Sequence, residues 1–226
     1  MTPPVTDLAA KKEVTAATPG QEAAKRTVDI VLSLALLIIV APCLLLLGCL
    51  VRLTSAGPAL FRQERLGRDR QPFTILKLRT MQVDNDDRIH RDYVATLLSA
   101  DGTATVAGNG LFKLDGDPRV TRLGAWLRRT SLDELPQLFN VLRGEMSLVG
   151  PRPVLPWEAQ LLGERYQQRF AVKPGITGLW QVSGRSRLAM REALELDIAY
   201  VARRSLVFDV AILARTVPAL FRGGAS

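Results

Sequence analysis

The strongest constraint on the fold is an uncharged apolar run at residues 30–51, dominated by Leu, Ile, Val and Ala. As a straight helix, these 22 residues would be about 33 Å long, enough to cross the hydrocarbon core of a bilayer. The run is longer than the apolar part of a secretory signal peptide and begins far from Met1, which argues against a cleaved signal. The sequence therefore predicts a chain that inserts into a membrane.

How the run inserts depends on Pro42, which divides it into 12 residues before and 9 after. Proline inside a helix kinks or breaks it, and neither half is long enough to span a bilayer alone. Basic residues flank the run on both sides: Lys11, Lys12, Lys25 and Arg26 precede it, and Arg52, Arg62, Arg65, Arg68 and Arg70 follow it. The positive-inside rule places both flanks in the cytoplasm. These features predict a re-entrant helix-break-helix hairpin, and a kinked helix that crosses once is the alternative.

The charge balance predicts an anionic partner, because 30 Lys and Arg residues outnumber 22 Asp and Glu residues. A nucleic-acid module would cluster these cations on one face and add aromatic side chains for stacking. Here the arginines are scattered among Gly- and Pro-rich loops and only 6% of residues are aromatic, so no nucleic-acid partner is predicted. His90 is the only histidine, which argues against a histidine zinc site and a Ser-His-Asp triad.

Two adjacent carboxylates, Asp133 and Glu134, lie where an arginine-rich segment gives way to an apolar helix pattern. Apolar residues recur at helical spacing at Leu135, Leu138, Phe139 and Leu142, and Gly144 is typical of a helix end. Pro136 favours the first helical turn, which places both carboxylates at or just before the helix start. That end of a helix suits a phosphate or the carboxylates themselves. Alternatively, Ser131-x-x-Glu134 is an ordinary capping box.

Two further segments place cations where they suit a phosphate. Residues 73–81 alternate apolar with polar or basic side chains, which predicts a strand with Lys77 and Arg79 on one face. Pro151 and Pro153 flank Arg152 and stiffen its loop. A solvated strand face and a plain surface turn are the alternatives. Downstream, a helix is predicted over 187–204, and residues 206–221 form an apolar segment that lies on the membrane surface or packs on the core.

A set of motifs runs through the chain in a fixed order. They are Lys25-Arg26-x-x-Asp29 before the apolar run, Phe61-Arg62-Gln63-Glu64-Arg65, Lys77-x-Arg79-Thr80-Met81, Asp117-Pro118-Arg119-Val120-Thr121-Arg122-x-Gly124, Ser131-Leu132-Asp133-Glu134-Leu135-Pro136-Gln137, Gly150-Pro151-Arg152-Pro153 and Lys173-Pro174-Gly175-Ile176-Thr177-Gly178. Each motif alone is weak. Together, over residues 25–222, the chain resembles the monotopic phosphoglycosyl transferases, also called bacterial sugar transferases.

The resemblance implies an α/β (or α+β) monotopic membrane protein. Its parts would be a disordered cytosolic tail at 1–24, a re-entrant membrane hairpin at 25–52 with its break at Pro42, and a small cytoplasmic catalytic domain with surface amphipathic helices at 53–226. The implied location is the inner membrane of a bacterium, with the catalytic domain facing the cytoplasm. The implied reaction transfers a sugar-1-phosphate from a UDP-sugar to polyprenol (undecaprenyl) phosphate and releases UMP, as the first membrane step of exopolysaccharide or lipid-linked glycan synthesis. The lipid bilayer is a further implied partner, and a homodimer is left open.

By the same resemblance, Asp133 is the nucleophile that becomes a covalent aspartyl-phosphosugar, and Glu134 binds Mg²⁺. A carboxylate that attacks a pyrophosphate meets an anion, so a cation must neutralise the phosphate oxygens, and Mg²⁺ commonly does so through one or two protein carboxylates. Four basic residues match family positions that line the substrate site: Arg128, Arg152, Lys77 and Arg185. Guanidinium groups suit bidentate phosphate contacts, which favours the arginines over the lysine in that role.

Overall fold

The computed structural model describes residues 18–83, 91, 94–95, 117–184 and 188–222. Most of the predicted tail, the acidic stretch Asp84–Asp87, His90 and Arg185 lie outside the described residues. The described part mixes helices with two small sheets, as the sequence predicts.

The longest element is α1, Pro19–Thr54, a helix of 36 residues. It begins inside the segment that the sequence assigns to a disordered tail, so residues 19–24 are helical. The reason is a complete capping box: the Thr18 hydroxyl accepts from the backbone N–H of Gln21, the Gln21 side chain accepts from the N–H of Thr18, and Pro19 occupies the first helical position. The helix therefore begins six residues before the membrane segment predicted at 25–52.

Helix α1 continues through Pro42, so the predicted break is not confirmed. Pro42 is exposed, and an interior proline removes one backbone hydrogen bond without ending every helix that contains it. One face of α1 is buried along its whole length, by Asp29, Ser33, Leu37, Leu47 and Val51, with Val40 and Leu44 partly buried between them. The half before Pro42 packs on the main core through Leu37, and the half after it packs through Leu47 and Val51 on a second apolar cluster with Leu78 and Leu127.

The opposite face of α1 is apolar and exposed. Its most exposed side chains are Val31, Ile38, Ile39, Leu45, Leu46 and Leu53, each more than half accessible. The helix is also long and apolar enough to cross a membrane. Since a contiguous apolar face of this size is costly in water, these observations indicate association with a membrane.

After α1 the chain forms an antiparallel hairpin of β1, Leu60–Leu66, and β2, Pro72–Leu78. A second, parallel pair joins β3, Ser147–Val149, to β4, Gly175–Thr177. The backbone passes closely beside this pair: a Cβ on Gly150 would lie 2.5 Å from the Lys173 carbonyl oxygen. Glycine is therefore required where the motif at 150–153 meets the motif at 173–178.

Further helices of the described part of the chain surround these strands. They are α2, Arg122–Thr130; α3, Gln137–Arg143; α4, Pro156–Leu161; α5, Leu179–Ser183; α6, Met190–Arg203; and α7, Leu206–Arg222. Short 3-10 segments lie at Leu132–Glu134 and Glu164–Ala171. The main core gathers α3, β3, α6 and α7 around Val141, Met146 and Tyr200. The helix predicted over 187–204 is confirmed as α6.

The N-terminal part of α1 is fixed to the core by polar contacts. Lys25 forms an ion pair with Asp209 of α7, and Arg26 donates to the carbonyl oxygens of Val141 and Leu142 at 2.5 and 2.7 Å. The carboxylate of Asp29 accepts from the backbone N–H of Leu148 at 3.1 Å. The Lys25-Arg26-x-x-Asp29 motif therefore joins α1 to α7, to the last carbonyls of α3 and to β3.

The C-terminal part of α1 is fixed by Arg79. This buried guanidinium donates to the carbonyl oxygens of Ser55, at 2.8 Å, and of Ala56, next to the end of the helix. Cations are favoured at helix C-termini because the last carbonyls carry partial negative charge. Neither sequence interpretation of Arg79 is correct: it is not part of a solvated strand face, and its guanidinium binds main-chain carbonyls.

Candidate active site

Asp133 and Glu134 are presented by a sharp change of direction between two helices. Helix α2 ends at Ser131, whose backbone is left-handed with φ of 58°. A three-residue 3-10 turn, Leu132–Glu134, follows, and α3 begins directly after Pro136. The predicted placement of both carboxylates just before a helix start is confirmed. Asp133 is 4% exposed, so its carboxylate faces the protein interior and not bulk water.

The capping-box alternative is wrong in this structure. The side chain of Ser131 makes no cap hydrogen bond to the turn that follows it. The carboxylate of Glu134 instead accepts from Lys77, with 2.9 Å between Oε1 and Nζ. Lys77 lies in β2, so this ion pair fixes the acidic turn to the hairpin.

The hairpin register shows what else shares this face. Phe61 is opposite Lys77, and Arg65 is opposite Phe73. Opposed residues of an antiparallel pair project to the same side, as do residues two apart along a strand. The side chain of Arg65 is therefore on the same side of the hairpin as that of Lys77.

Arg65 is a site residue that the sequence reasoning did not single out. It is buried, donates to the Pro153 carbonyl oxygen at 3.3 Å and forms an ion pair with Glu158 at 3.5 Å. Burial lowers its pKa to about 10 even though Glu158 opposes the shift, and the charge of Arg152 lowers the pKa further. The signal that could have found it is the two-residue alternation of β1 combined with the position of Lys77.

Arg128, near the end of α2, is the cation whose charge interacts with that of Asp133. Burial lowers the pKa of Arg128, the negative charge of Asp133 opposes that shift, and the charge of Arg152 adds to it. The three groups are therefore electrostatically coupled. Nearby, Arg119 forms an ion pair with Asp117 at 2.7 Å, and the hydrogen bond from Arg119 lowers the pKa of Asp117.

We call Lys77, Arg128, Asp133, Glu134 and Arg152, together with Arg65, the reaction face. Five of these were predicted from the sequence, and the structure couples them by an ion pair or through their mutual charge. Arg185, the remaining predicted site residue, is not among the described residues. The arrangement combines a buried carboxylate with several partly desolvated cations, which suits an attack by that carboxylate on a polyanionic substrate.

The predicted Mg²⁺ must be tested against the donors at hand. Among the described residues, no group of three or more His, Cys, Asp or Glu side chains forms a metal-binding cluster. Mg²⁺ is commonly held by one or two carboxylates plus substrate phosphates, and Asp133 and Glu134 provide that number. Oε1 of Glu134 already accepts from Lys77, so a metal ion at Glu134 would share that carboxylate with the ammonium group. The donor set therefore fits a metal that arrives with its phosphate substrate.

Comparison with known proteins identifies similar sequences among bacterial sugar transferases. The sequence model of a family described as bacterial sugar transferase matches residues 20–223. A UDP-galactose-lipid carrier transferase of Erwinia amylovora is 42% identical over 85% of this chain, which spans 39% of that protein. The exopolysaccharide production protein ExoY of Sinorhizobium fredii is 39% identical over 87% of this chain and 84% of its own length. A UDP-glucose:undecaprenyl-phosphate glucose-1-phosphate transferase of Caulobacter vibrioides is 42% identical over 87% of this chain and 69% of its own length.

Proposed function

Because this chain belongs to the bacterial sugar transferase family, we propose that it transfers a sugar-1-phosphate from a UDP-sugar to a membrane polyprenol phosphate and releases UMP. The names of its relatives support the substrate classes, since one is a UDP-galactose-lipid carrier transferase and another uses undecaprenyl phosphate as acceptor. The observation that carries the proposal is the burial of Asp133 beside Arg128 and the ion-paired Glu134.

In the proposed first half-reaction, a carboxylate oxygen of Asp133 attacks the β-phosphorus of the UDP-sugar. A bond forms between that oxygen and phosphorus, the bond from phosphorus to the bridging oxygen breaks, and UMP leaves with the electron pair. In the second half-reaction, a phosphate oxygen of the polyprenol phosphate attacks the same phosphorus and releases the Asp133 carboxylate. A covalent intermediate of this kind gives ping-pong kinetics.

The cations of the reaction face reduce the repulsion between these anions. Arg128 is coupled to the Asp133 charge and is placed to hold the phosphates next to the attacking oxygen. Arg152 and Arg65 extend the positive region beyond it, and the burial of Arg65 strengthens the interaction of its charge with the phosphates. Lys77 holds Glu134 in position through their ion pair. When bound, Mg²⁺ would be held by Glu134 and would neutralise charge on the phosphate oxygens, while Asp133 attacks.

We further propose that α1 enters the bilayer and returns to the same side, so that both flanks face the cytoplasm at the inner membrane of a bacterium. Support comes from the packing of both halves of α1 against the rest of the chain, each on its own apolar cluster, and from the polar contacts of Lys25 and Arg79 near its two ends. A hinge at Pro42 in the membrane is compatible with this arrangement. On this assignment residues 25–52 provide the membrane segment, and the chain from residue 53 provides the catalytic part.

The topology is testable by cysteine labelling. Cys43 and Cys49 are replaced by serine, and single cysteines are introduced by Thr18→Cys and Thr54→Cys, at exposed positions near the two ends of α1. In inverted membrane vesicles and in intact spheroplasts, both sites are expected to react with an impermeant maleimide only from the cytoplasmic side. Reaction of the two sites from opposite sides would show a single crossing and overturn the re-entrant assignment.

The activity is tested with purified protein in nanodiscs, Mg²⁺, polyprenol phosphate and a panel of UDP-sugars, by following UMP. We expect UMP release with at least one donor and none from the Asp133→Asn variant. The matched control is Asp69→Asn, the same chemical change at an exposed residue of the turn between β1 and β2. No UMP from the wild type with any donor, or equal release from Asp133→Asn, would contradict the proposal.

A further inference from the structure

A buried ion pair lies behind the reaction face. Arg169, in the 3-10 segment Glu164–Ala171, and Asp197, in α6, are 4% and 2% exposed, and Nη2 of Arg169 is 2.7 Å from Oδ2 of Asp197. Neither residue belongs to the motifs that carry the family resemblance. Both are too deep to reach a substrate, so they require an explanation of another kind.

Both members of the pair contact the main chain of Arg152. The same Nη2 of Arg169 donates to the Arg152 carbonyl oxygen at 2.8 Å, and the backbone N–H of Arg152 interacts with the Asp197 carboxylate and lowers its pKa. Pro151 and Pro153 have no N–H, so the amide of Arg152 is the one backbone donor in the Pro-Arg-Pro segment. The buried pair therefore contacts the N–H and the carbonyl oxygen of this one residue.

The pair is poorly explained as a source of stability. Taking two charges out of water commonly costs as much as their attraction returns, and apolar replacements of similar volume are often neutral or stabilising. Burial raises the pKa of Asp197 to about 6, although the charges of Arg169 and Arg152 oppose the shift. Stability alone therefore does not explain the pair, and its contacts outside the pair lead to Arg152.

We propose that Arg169 and Asp197 are positioning residues that fix the main chain of Arg152, so that its side chain meets the substrate phosphates in one orientation. This inference rests on the proposed function, which gives Arg152 a phosphate to bind. The flanking prolines restrict the backbone dihedrals, and the buried pair fixes where the restricted segment lies. A displacement of about 1 Å at such a contact can cost about 100-fold in rate.

The test replaces the pair by apolar residues, Arg169→Met with Asp197→Leu, which removes both contacts to Arg152 without leaving a buried unpaired charge. The matched control is Arg165→Met with Glu195→Leu. This second pair joins the same two elements at the same distance of 2.7 Å, but Arg165 is largely exposed. We call the first double substitution the buried exchange and the second the control exchange. We expect the buried exchange to lower kcat/KM for the UDP-sugar by about 10–100-fold at an unchanged Tm. The control exchange should leave kcat/KM unchanged.

Combining each double substitution with Arg152→Ala distinguishes the positioning role from a merely structural one. If the pair acts through Arg152, the buried exchange has no further effect on kcat/KM once Arg152 is alanine. If the effects multiply, or if the buried exchange leaves kcat/KM unchanged in the first place, the proposal is overturned. Should the double exchange fail to fold, Arg169→Lys keeps the buried cation with a shorter reach, and it is expected to show the same dependence on Arg152.

A second measurement does not need activity, and so separates failure of this inference from failure of the proposed function. Amide hydrogen exchange over residues 150–155 is expected to be faster in the Arg169→Met, Asp197→Leu variant than in the wild type. In the Arg165→Met, Glu195→Leu control it is expected to stay at the wild-type rate. Equal exchange in both variants would overturn the positioning role even if the enzyme is active. Accelerated exchange in the Arg169→Met, Asp197→Leu variant, together with a wild type that releases no UMP, would support the positioning role and contradict the proposed function.

Discussion

The basic residues near the ends of α1 and those of the reaction face have different kinds of partner. Lys25, Arg26 and Arg79 each bind main-chain carbonyls or a buried carboxylate of the fold. Arg128 and Arg152 are instead coupled to each other and to Asp133 in a partly buried region. The same residue types therefore hold a helix in place in one region and create a positive potential in the other.

The difference lies in which charges surround each cation. Arg26 and Arg79 bond to carbonyls at or next to helix C-termini, where partial negative charge is fixed by the fold. Burial lowers the pKa values of Arg65 and Arg128, and the charge of Arg152 lowers them further, so negative charge on a bound ligand would be favoured beside them. Loss of a cation should therefore affect stability in the first region and activity in the second.

The largest effect is expected from Arg128→Met. This change removes a cation that interacts with the charge of Asp133. The value of kcat/KM for the UDP-sugar should therefore fall by about 10³-fold, which is typical when an enzyme loses one preorganised donor to a charge that develops in the transition state. The Tm should change little. Initial rates of UMP release measure the fall in kcat/KM, and a thermal unfolding curve measures Tm. A large loss of Tm with normal activity would show that Arg128 serves the fold and not the reaction.

Arg79→Met should give the opposite pattern. It removes hydrogen bonds from a buried cation to Ser55 and Ala56, so the free energy of unfolding should fall by about 3 kcal/mol. The folded fraction should retain its kcat/KM. Denaturant unfolding in detergent, with Arg122→Met at an exposed position as control, measures the loss. An undisturbed stability would show that the contacts to the end of α1 contribute little.

The buried carboxylate behind the reaction face adds a pH dependence. The pKa of Asp197 is about 6 in the folded protein against an ordinary value of 3.8, so the folded state binds a proton more tightly than the unfolded state between these values. Its contribution to stability is therefore fully present below about pH 4, falls by about 2–3 kcal/mol as the pH rises to about 6, and is constant above.

The Arg169→Met, Asp197→Leu variant lacks this titration and is the natural reference. The unfolding free energy of the wild type, relative to that variant, should decline from pH 4 to pH 6 and then level off. A difference that is constant across this range would contradict the raised pKa.

The smallest of these effects is expected for Lys77→Met. The ion pair with Glu134 is partly exposed, so its loss should cost the fold about 1 kcal/mol or less. Since Glu134 would lose its fixed orientation, kcat/KM should fall by about 30-fold, equivalent to about 2 kcal/mol. Lys77→Arg is the conservative comparison and should retain more activity. Equal rates for wild type and Lys77→Met would remove Lys77 from the reaction face.

Local sequence patterns were sufficient to predict the elements whose structure depends on residues close to them in the chain. The acidic turn before α3 follows from Pro136 and the helical spacing after it, and α6 follows from its own periodicity. The position of Arg79 could not be predicted, because its partners lie more than 20 residues away in the chain. Arg65 required the hairpin register, and the continuity of α1 through Pro42 depends on packing along its whole length.

The Arg169–Asp197 pair illustrates the same limit. Its members are separated by 28 residues and meet only because the 3-10 segment and α6 pack together. Nothing in either local sequence distinguishes them from surface charges such as Arg165 and Glu195. The motif at 150–153 could be recognised from its prolines, but what holds it in place could not.

The most direct test of the account is the mass of the intact protein after exposure to a UDP-sugar without acceptor. The account predicts an adduct of one sugar phosphate on the wild type, located on Asp133 by peptide mapping, absent from Asp133→Asn, and lost when polyprenol phosphate is added. UMP release with no adduct under any quench condition, or an adduct that persists in Asp133→Asn, would contradict the assignment of Asp133 as the nucleophile.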